Sequence, residues 1–545
     1  MLISSSLYAQ LSGVYTIGGL NPNYASFNQA VADLNQQGIS DSTIFKIRNG
    51  VYNETVVIDP VQGASAGSPV IFESENGDSS LVVLQGDSVV SARYVLEINA
   101  ASYIVFKGIT FNNTGSHDSL VYLAGAASHL RFLNNQFLDT DGRYFVHSKI
   151  DSNDSLHLNG YNEFRSNLFK GNSNSRVFFS TNNQNSTYPK AQGNTFMHNN
   201  FVDGSSLHLS GQQSVQISEN IFISDSNLFV GGCFINASSR LNITNNILSN
   251  SRMDVRGNWN SDQSFPTLIA NNFICSDWLN PLLGSAYTGM LVGGFNNLNI
   301  LFNTIHTKFD FQSNGNFSAT LSVGQEQSVN SRIINNIIYN EGQTKALYVF
   351  DTADDIWDYN NIYTEGDTFA SFMGSYLNSF SDWQQTTAFW PEDTPYDMHS
   401  LSIAPEFISD SLPDIVPGSE LCGRGIWMDE VTTDIYGNAR NNPPTIGAFE
   451  LPTPCTVGYP NTEEEPYIFN ISPNPATETL NIMYIDKELN TTLRITNGIG
   501  QTVYSKRIKL GISAISLSEI PAGVYLCSLN TGDRVIAKQR LVVVR

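Results

Sequence analysis

A chain of 545 residues is too long for one ordinary core, so it holds either several domains or a repeat whose interior grows along one axis. Only 14% of the residues are charged, yet the net charge is −22. That excludes nucleic acid as a partner, since so acidic a chain cannot displace counterions from phosphates, and it disfavours plain attraction to an anionic glycan unless calcium bridges the two. The missing charge is replaced by Asn, Ser, Thr and Gly, with Asn at about one residue in nine. Asn and Gly enter the left-handed backbone region cheaply, so the composition implies many tight bends joined by β-branched and aromatic strand material.

Residues 1–9 read as the end of a signal peptide with cleavage after Ala9. The basic region and longer apolar run of a full signal are missing, so the start is expected to be internal to a longer product or the gene to be truncated. No later stretch approaches 18 apolar residues, and no transmembrane helix is expected. Tyr24 to Val31 then reads as a short helix, followed by a strand around Phe45 to Glu54.

The strongest signal is a repeat: an apolar residue, two spacers, Asn, one spacer, another apolar residue. The Asn positions are Asn135, Asn167, Asn194, Asn220, Asn246, Asn272, Asn303, Asn336 and Asn361, every step lying between 25 and 33 residues. Asn113, after Phe111, extends the series loosely. Positions −3 and +2 are five apart, which in an unbroken strand puts them on opposite faces. Both are apolar, so the chain must bend between them, and the Asn itself is expected to supply that bend and to stack into a hydrogen-bonded ladder. A strand, an Asn corner and another strand, once per coil, describe a parallel β-helix. A helical solenoid fails on propensity, and a propeller needs a longer period.

Outward positions on neighbouring coils are where chemistry would sit. Arg252, Asp254 and Arg256 alternate outward on one coil, Asp277 follows on the next, and His306, Lys308 and Asp310 alternate on the one after. Counted from their Asn these runs start at +6, +5 and +3, so they are expected to form one loosely registered patch. Lys308, Arg252 and Asp254 are its catalytic candidates, with Lys308 or Arg252 as base. Arg256, Trp259, Asp277, His306 and Asp310 are its substrate-binding candidates, Trp259 by stacking on a sugar. Calcium is the cofactor these carboxylates would accept. The competing reading is a charged, solvated face. Asp354, Asp355 and Asp358, and separately Arg143, His147 and Lys149, are lesser clusters of the same kind.

Tyr24 to Val31 and Phe45 to Glu54 resemble the amphipathic cap and first coil of pectate-lyase-like right-handed β-helix proteins. Ser381 to Gln385, Asp397 to Ser400, Ala404 to Phe407, Asp434 to Arg440 and Ile446 to Glu450 resemble that family's closing coils, with His399 structural. The resemblance covers roughly residues 20–450 and implies the fold, assigned here to 10–450. The family holds lyases, hydrolases, adhesins and other surface proteins, so it leaves activity open. Cys422 and Cys455, both in the irregular tail, are the one cysteine pair that suits a disulfide.

Residues 451–466, with four prolines around Glu463 to Glu465, read as a linker. Roughly seven short alternating strands follow in 467–545, which suits a small Ig-like β-sandwich and makes the whole chain all-β. Ser472 to Ala476, Ile520 to Tyr525 and the basic-then-apolar end Lys538 to Arg545 closely resemble a type A C-terminal sorting domain of type IX secretion. That resemblance implies export to the extracellular space or outer-membrane surface and engagement of the sorting machinery. Two functions then compete: a monomeric surface adhesin or glycan-binding protein, and a secreted polysaccharide lyase or glycoside hydrolase acting in a groove along the coils.

Overall fold

The chain's computed structural model describes residues 9–86, 93–113, 117–139, 143–150, 159–172, 174–181, 190–224, 231–257, 265–277, 288–308, 318–324, 328–350, 355–388, 396–408, 413–416, 418–452, 468–472, 476, 479–485, 491–497, 501–508, 511–531 and 534–544. Residues 11–377 wind into a right-handed parallel β-helix. Its coils contribute in turn to a first sheet of 13 strands, a second of 12 and a third of 13. Residues 468–543 form a separate sandwich of a three-stranded and a four-stranded antiparallel sheet.

Aligned side chains hold the helix together. On the first sheet Phe45, Phe72, Phe106, Phe132, Phe164 and Phe196 are in register, and the column continues as Ile217, Ile243, Ile269, Ile300, Ile333 and Trp357. Successive rings of the aromatic part stack with centroids 4.8–5.4 Å apart, close to the strand spacing. The second sheet carries a parallel column that includes Phe137, Phe169, Phe201, Phe222, Leu248 and Ile274. Phe132 and Phe137, five apart, are both fully buried, as the parity argument requires.

The corner differs from the expectation in two ways. The left-handed residue is the one before each ladder Asn: Asn134, Ser166, His198, Glu219, Asn245, Asn271, Phe302, Asn335 and Tyr359 have φ between 54° and 62°. The ladder Asn instead turns its amide inward, where both ends of it are used. Asn272 Oδ1 accepts from the Asn246 N–H at 3.1 Å, and its Nδ2 donates to the Ile243 carbonyl at 2.9 Å. An amide that both accepts and donates satisfies backbone groups that the bend takes out of the sheet. The column runs Asn135, Asn167, Asn199, Asn220, Asn246, Asn272, Asn303, Asn336 and Asn360. Asn194 and Asn361 therefore stand outside it. Asn194 belongs to a second, shorter ladder at the corner leading into the first sheet, accepting from Asn162 N and donating to Gln212. Asn361 binds the backbone of Ile403. Asn113 lies past the second-sheet strand, and the corner position of its coil is Ile109, whose N–H donates to Asn135.

Both ends of the solenoid are closed. The helix Phe27–Gln37 buries Phe27, Ala30, Val31 and Leu34 over the first coil. The Glu54 carboxylate accepts from the N–H groups of Phe27 and Asn28 at its N-terminus. At the other end Asp397 Oδ1 accepts from Asn360 Nδ2, and its Oδ2 from the Trp383 indole, so the ladder ends on a carboxylate. Burial raises the Asp397 pKa against these hydrogen bonds. From here the tail runs back along the outside of the coils. Ile426 pairs with Asn335, and the Asn271 amide donates to Thr433 O. Ile415, Leu421, Ile435, Ile446, Ala448 and Leu451 cover the outer face of the second sheet from Ile221 to Tyr363. Buried Arg440 binds Glu450 and Asn271 and lies 3.8 Å from the Phe302 ring centroid. Cys422 is disulfide-bonded, while Cys233, Cys275 and Cys527 form no disulfide. Cys455, its expected partner, lies outside the described residues.

Candidate functional site

The tail covers much of the second sheet's outer face, whereas the outer face of the third sheet in the middle coils is left open. In each strand there, one residue between two buried neighbours points outward. Parallel register brings these into a line: Tyr122, His147, Phe178, His208, Phe234 and Asp254 are successive partners. All six are half-buried. Beside them runs a second line, Tyr144, Arg176, Ser206, Gly232 and Arg252. Gly232 is strictly needed, because its φ is 140° and a Cβ would meet the Arg252 carbonyl.

A shallow groove of about 350 Å³ opens over these lines, floored by Phe178, His208 and Phe234 and edged by Ser180, Ser210, Asn236, Asp254 and Arg256. Its aromatics hold its cations. Arg176 lies 5.5 Å from the Tyr144 ring centroid and 6.0 Å from that of Phe178, and Arg252 lies 5.0 Å from Phe234. Arg176 has neither a hydrogen bond nor an ion pair among the described residues, and its Nε is buried. Arg256 grips Asp254 with two bonds of 2.9 and 3.1 Å. His208 stacks on Phe234 at 4.6 Å, and its Nε2 lies 2.9 Å from Ser206 Oγ. Burial, and after it the charges of Arg176 and Arg252, push the His208 pKa down to about 3, so the ring is neutral at physiological pH.

The expected patch is divided between two sheets. Arg252, Asp254 and Arg256 lie in the groove. His306 and Lys308 lie on the second sheet, where both bind Glu341 Oε2 at 2.8 and 2.9 Å, and His306 is buried between Tyr339 and Phe407. Asp277, exposed, follows the second-sheet strand Phe273–Ser276 and donates its N–H to Asn250. The reason is strand length. After Asn246 the second-sheet strand ends at offset +3 and the third-sheet strand begins at +5, so Arg252 at +6 is already on the third sheet; after Asn272 and Asn303 the second-sheet strands run to +4, which leaves His306 on that sheet and Asp277 and Lys308 at its end. Trp259 and Asp310 lie outside the described residues, as does Asp354. The Asp355 carboxylate accepts from Ser331 N, and that of Asp358 from His399 N and Nδ1. Sequence reasoning missed Phe178, His208, Phe234 and Arg176. Their signal was one outward residue inside each apolar triplet: Val177-Phe178-Phe179, Leu207-His208-Leu209, Cys233-Phe234-Ile235, Met253-Asp254-Val255.

Chemically the groove is a stacking platform with two ring-held guanidiniums and a fringe of hydroxyl and amide groups. Asp254, the one carboxylate among its described lining residues, is already paired. No group of three or more His, Cys, Asp or Glu placed to hold a metal occurs among the described residues.

Comparison with known proteins identifies the C-terminal module. Residues 470–544 match the family model described as a secretion system C-terminal sorting domain. No curated protein matches the chain. Among solved structures, a pectin methylesterase from Aspergillus niger is 11% identical, with 58% of this chain and 87% of that chain covered and a TM-score of 0.27. The enzymatically active domain of tailspike protein 2 from bacteriophage CBA120 is 12% identical, covering 98% and 76%, with a TM-score of 0.34. Among the described residues no helix is long and apolar enough to cross a membrane. The chain is thus a parallel β-helix carrying a type IX sorting domain, sent to the cell surface or the extracellular space.

Proposed function

We propose that this secreted β-helix binds an extended polysaccharide along the outer face of its third sheet and serves as a glycan-binding protein at the cell surface. The observation that carries the reading is the in-register column from Tyr122 to Phe234. It offers five outward rings over five coils, about 19 Å at the spacing of neighbouring strands. A chain laid along the axis meets the same kind of surface at each step, apolar ring faces flanked by hydroxyls, which suits sugar rings. Arg176, held by rings and bound to nothing else, is placed to take a carboxylate or sulfate of the glycan.

A second reading, a polysaccharide lyase or glycoside hydrolase in the same groove, rests on Arg252 and Asp254 standing there beside the imidazole of His208. Three features weigh against it. Asp254 is engaged by Arg256. A hydrolase needs a second carboxylate. His208, with a pKa near 3, is a weak base. The deciding experiment exposes the purified protein to uronate and neutral polysaccharides, with and without calcium, and follows binding and product formation together. Saturable binding without unsaturated or reducing-end products supports the binder. Turnover that disappears in Arg252→Ala replaces it with the enzyme.

A further inference from the structure

Charge is divided unevenly along this chain. Residues 467–545 carry nine Lys or Arg against five Asp or Glu, whereas residues 1–466 carry 19 against 45. A small basic module thus ends a strongly acidic body. Within the sandwich the cations gather on one surface. In the four-stranded sheet, Leu493, Ile495, Cys527, Leu529 and Leu541 turn inward and are buried. Directly opposed residues of antiparallel strands share a face. The pairs Thr492↔Arg507, Arg494↔Ser528, Ser528↔Lys538 and Leu526↔Arg540 therefore place Arg494, Arg507, Lys538 and Arg540 together on the outer face. All four are exposed. Arg494, Arg507 and Lys538 have no ion-pair partner among the described residues, and no carboxylate lies on the described part of this face. Beside Arg540 the same face ends in bare aliphatic side chains, Val524 at 59% exposure and Leu526 at 41%.

We propose that this outer face docks the sorting domain on a phosphate-bearing anionic lipid surface. Neighbouring strands are about 4.8 Å apart, so the four cations repel one another within a Debye length and are best offset by a dense array of negative charge. Cations bordered by exposed aliphatic groups match the boundary between headgroups and acyl chains, where both are satisfied at once. An acidic protein would meet the cations and leave Val524 and Leu526 unmatched. Arg507 borders a cleft that it shares with Asp78 and Lys107 of the β-helix, so Arg494, Lys538 and Arg540 carry the docking, and body charges more than about 8 Å from them are screened at physiological salt.

The test is cosedimentation of the full chain with phosphatidylcholine vesicles and with vesicles partly replaced by phosphatidylglycerol. Anionic vesicles should bind, neutral ones should not, and binding should fall as salt rises. Arg494→Gln with Lys538→Gln should weaken vesicle affinity on the order of 20-fold, and Leu526→Ser should weaken it further. Arg93→Gln with Lys170→Gln, the same charge change on the β-helix, should leave it unaltered. Unfolding curves of the two double variants confirm that each stays folded. Equal binding to both vesicle types, retention of binding by the sandwich variant, or equal loss in the β-helix variant overturns the proposal. Reduced export of the sandwich variant without vesicle binding by the parent also overturns it and makes the face a protein-recognition surface. Glycan binding in the groove is read separately and is unchanged in every arm.

Discussion

Replacing Asn272 by Ala tests the ladder at one of its fully connected members. The side chain accepts from Asn246 N and Nδ2 and donates to the carbonyls of Ile243 and Ala270 and to Asn303 Oδ1, all inside a fully buried corner. Alanine leaves the Asn246 N–H and the Ile243 carbonyl without partners in a space closed to water. Each orphan costs about 1–3 kcal/mol, so the variant should lose roughly 3–5 kcal/mol. Asn361→Ala, at an equally buried residue, removes only two bonds, both to the part-buried backbone of Ile403, and should cost about 1–2 kcal/mol. Urea unfolding followed by far-ultraviolet circular dichroism compares the two. Equal losses, or a larger loss for Asn361→Ala, would refute the claim that the buried amide column, and not Asn content as such, holds the corner.

Other outcomes follow from the same geometry. Ser166, at φ 56°, should tolerate Gly without loss, while Ser166→Val should cost on the order of 1–2 kcal/mol, because a β-branched residue resists the left-handed region; the same unfolding curves read both. Phe234→Ala should weaken glycan binding roughly 10-fold by titration calorimetry, whereas Lys308→Ala, engaged with Glu341 on another sheet, should leave it unchanged. Burial, opposed by the hydrogen bond from Tyr436 and aided to a lesser degree by the Asp434 charge, raises the Asp414 pKa to about 6. The folded state therefore binds this proton more tightly than the unfolded chain. Its stabilising contribution is complete below about pH 4 and is lost as pH rises through 6. Asp414→Asn should flatten that decline by about 3 kcal/mol, measured as unfolding midpoints across the interval.

Much of the architecture was legible because the interior is periodic. The apolar positions three before and two after the Asn named the first- and second-sheet columns directly, and the tail motifs identified the residues that now clasp the coils, among them Asp397, Ser400 and Arg440. The two misplaced ladder members follow from trusting an even step over the motif. Asn199 has Phe196 at −3 and Phe201 at +2, and Asn360 has Trp357 and Ile362, while Asn194 and Asn361 have Ala191 and Asp358 at −3. The groove was harder to read. Its strands follow connections of varying length, so no fixed offset from the Asn finds them, and its line of rings exists only through strand pairing across coils. Arg252, Asp254 and Arg256 were found because they share one strand. Lys308 and His306 were grouped with them by counting residues along a chain that had already turned onto another sheet.

The tail that lies along the outer wall has a consequence for maturation. Its last anchoring side chains, Glu450 and Leu451, are buried against the body, and the sorting module begins only beyond residue 467. A cut just before the sorting module therefore removes the address label and spares the strap. The remaining cylinder keeps its seam sewn over the coils from Ile221 to Tyr363, so it can shed its export tag and still enter service as a finished part.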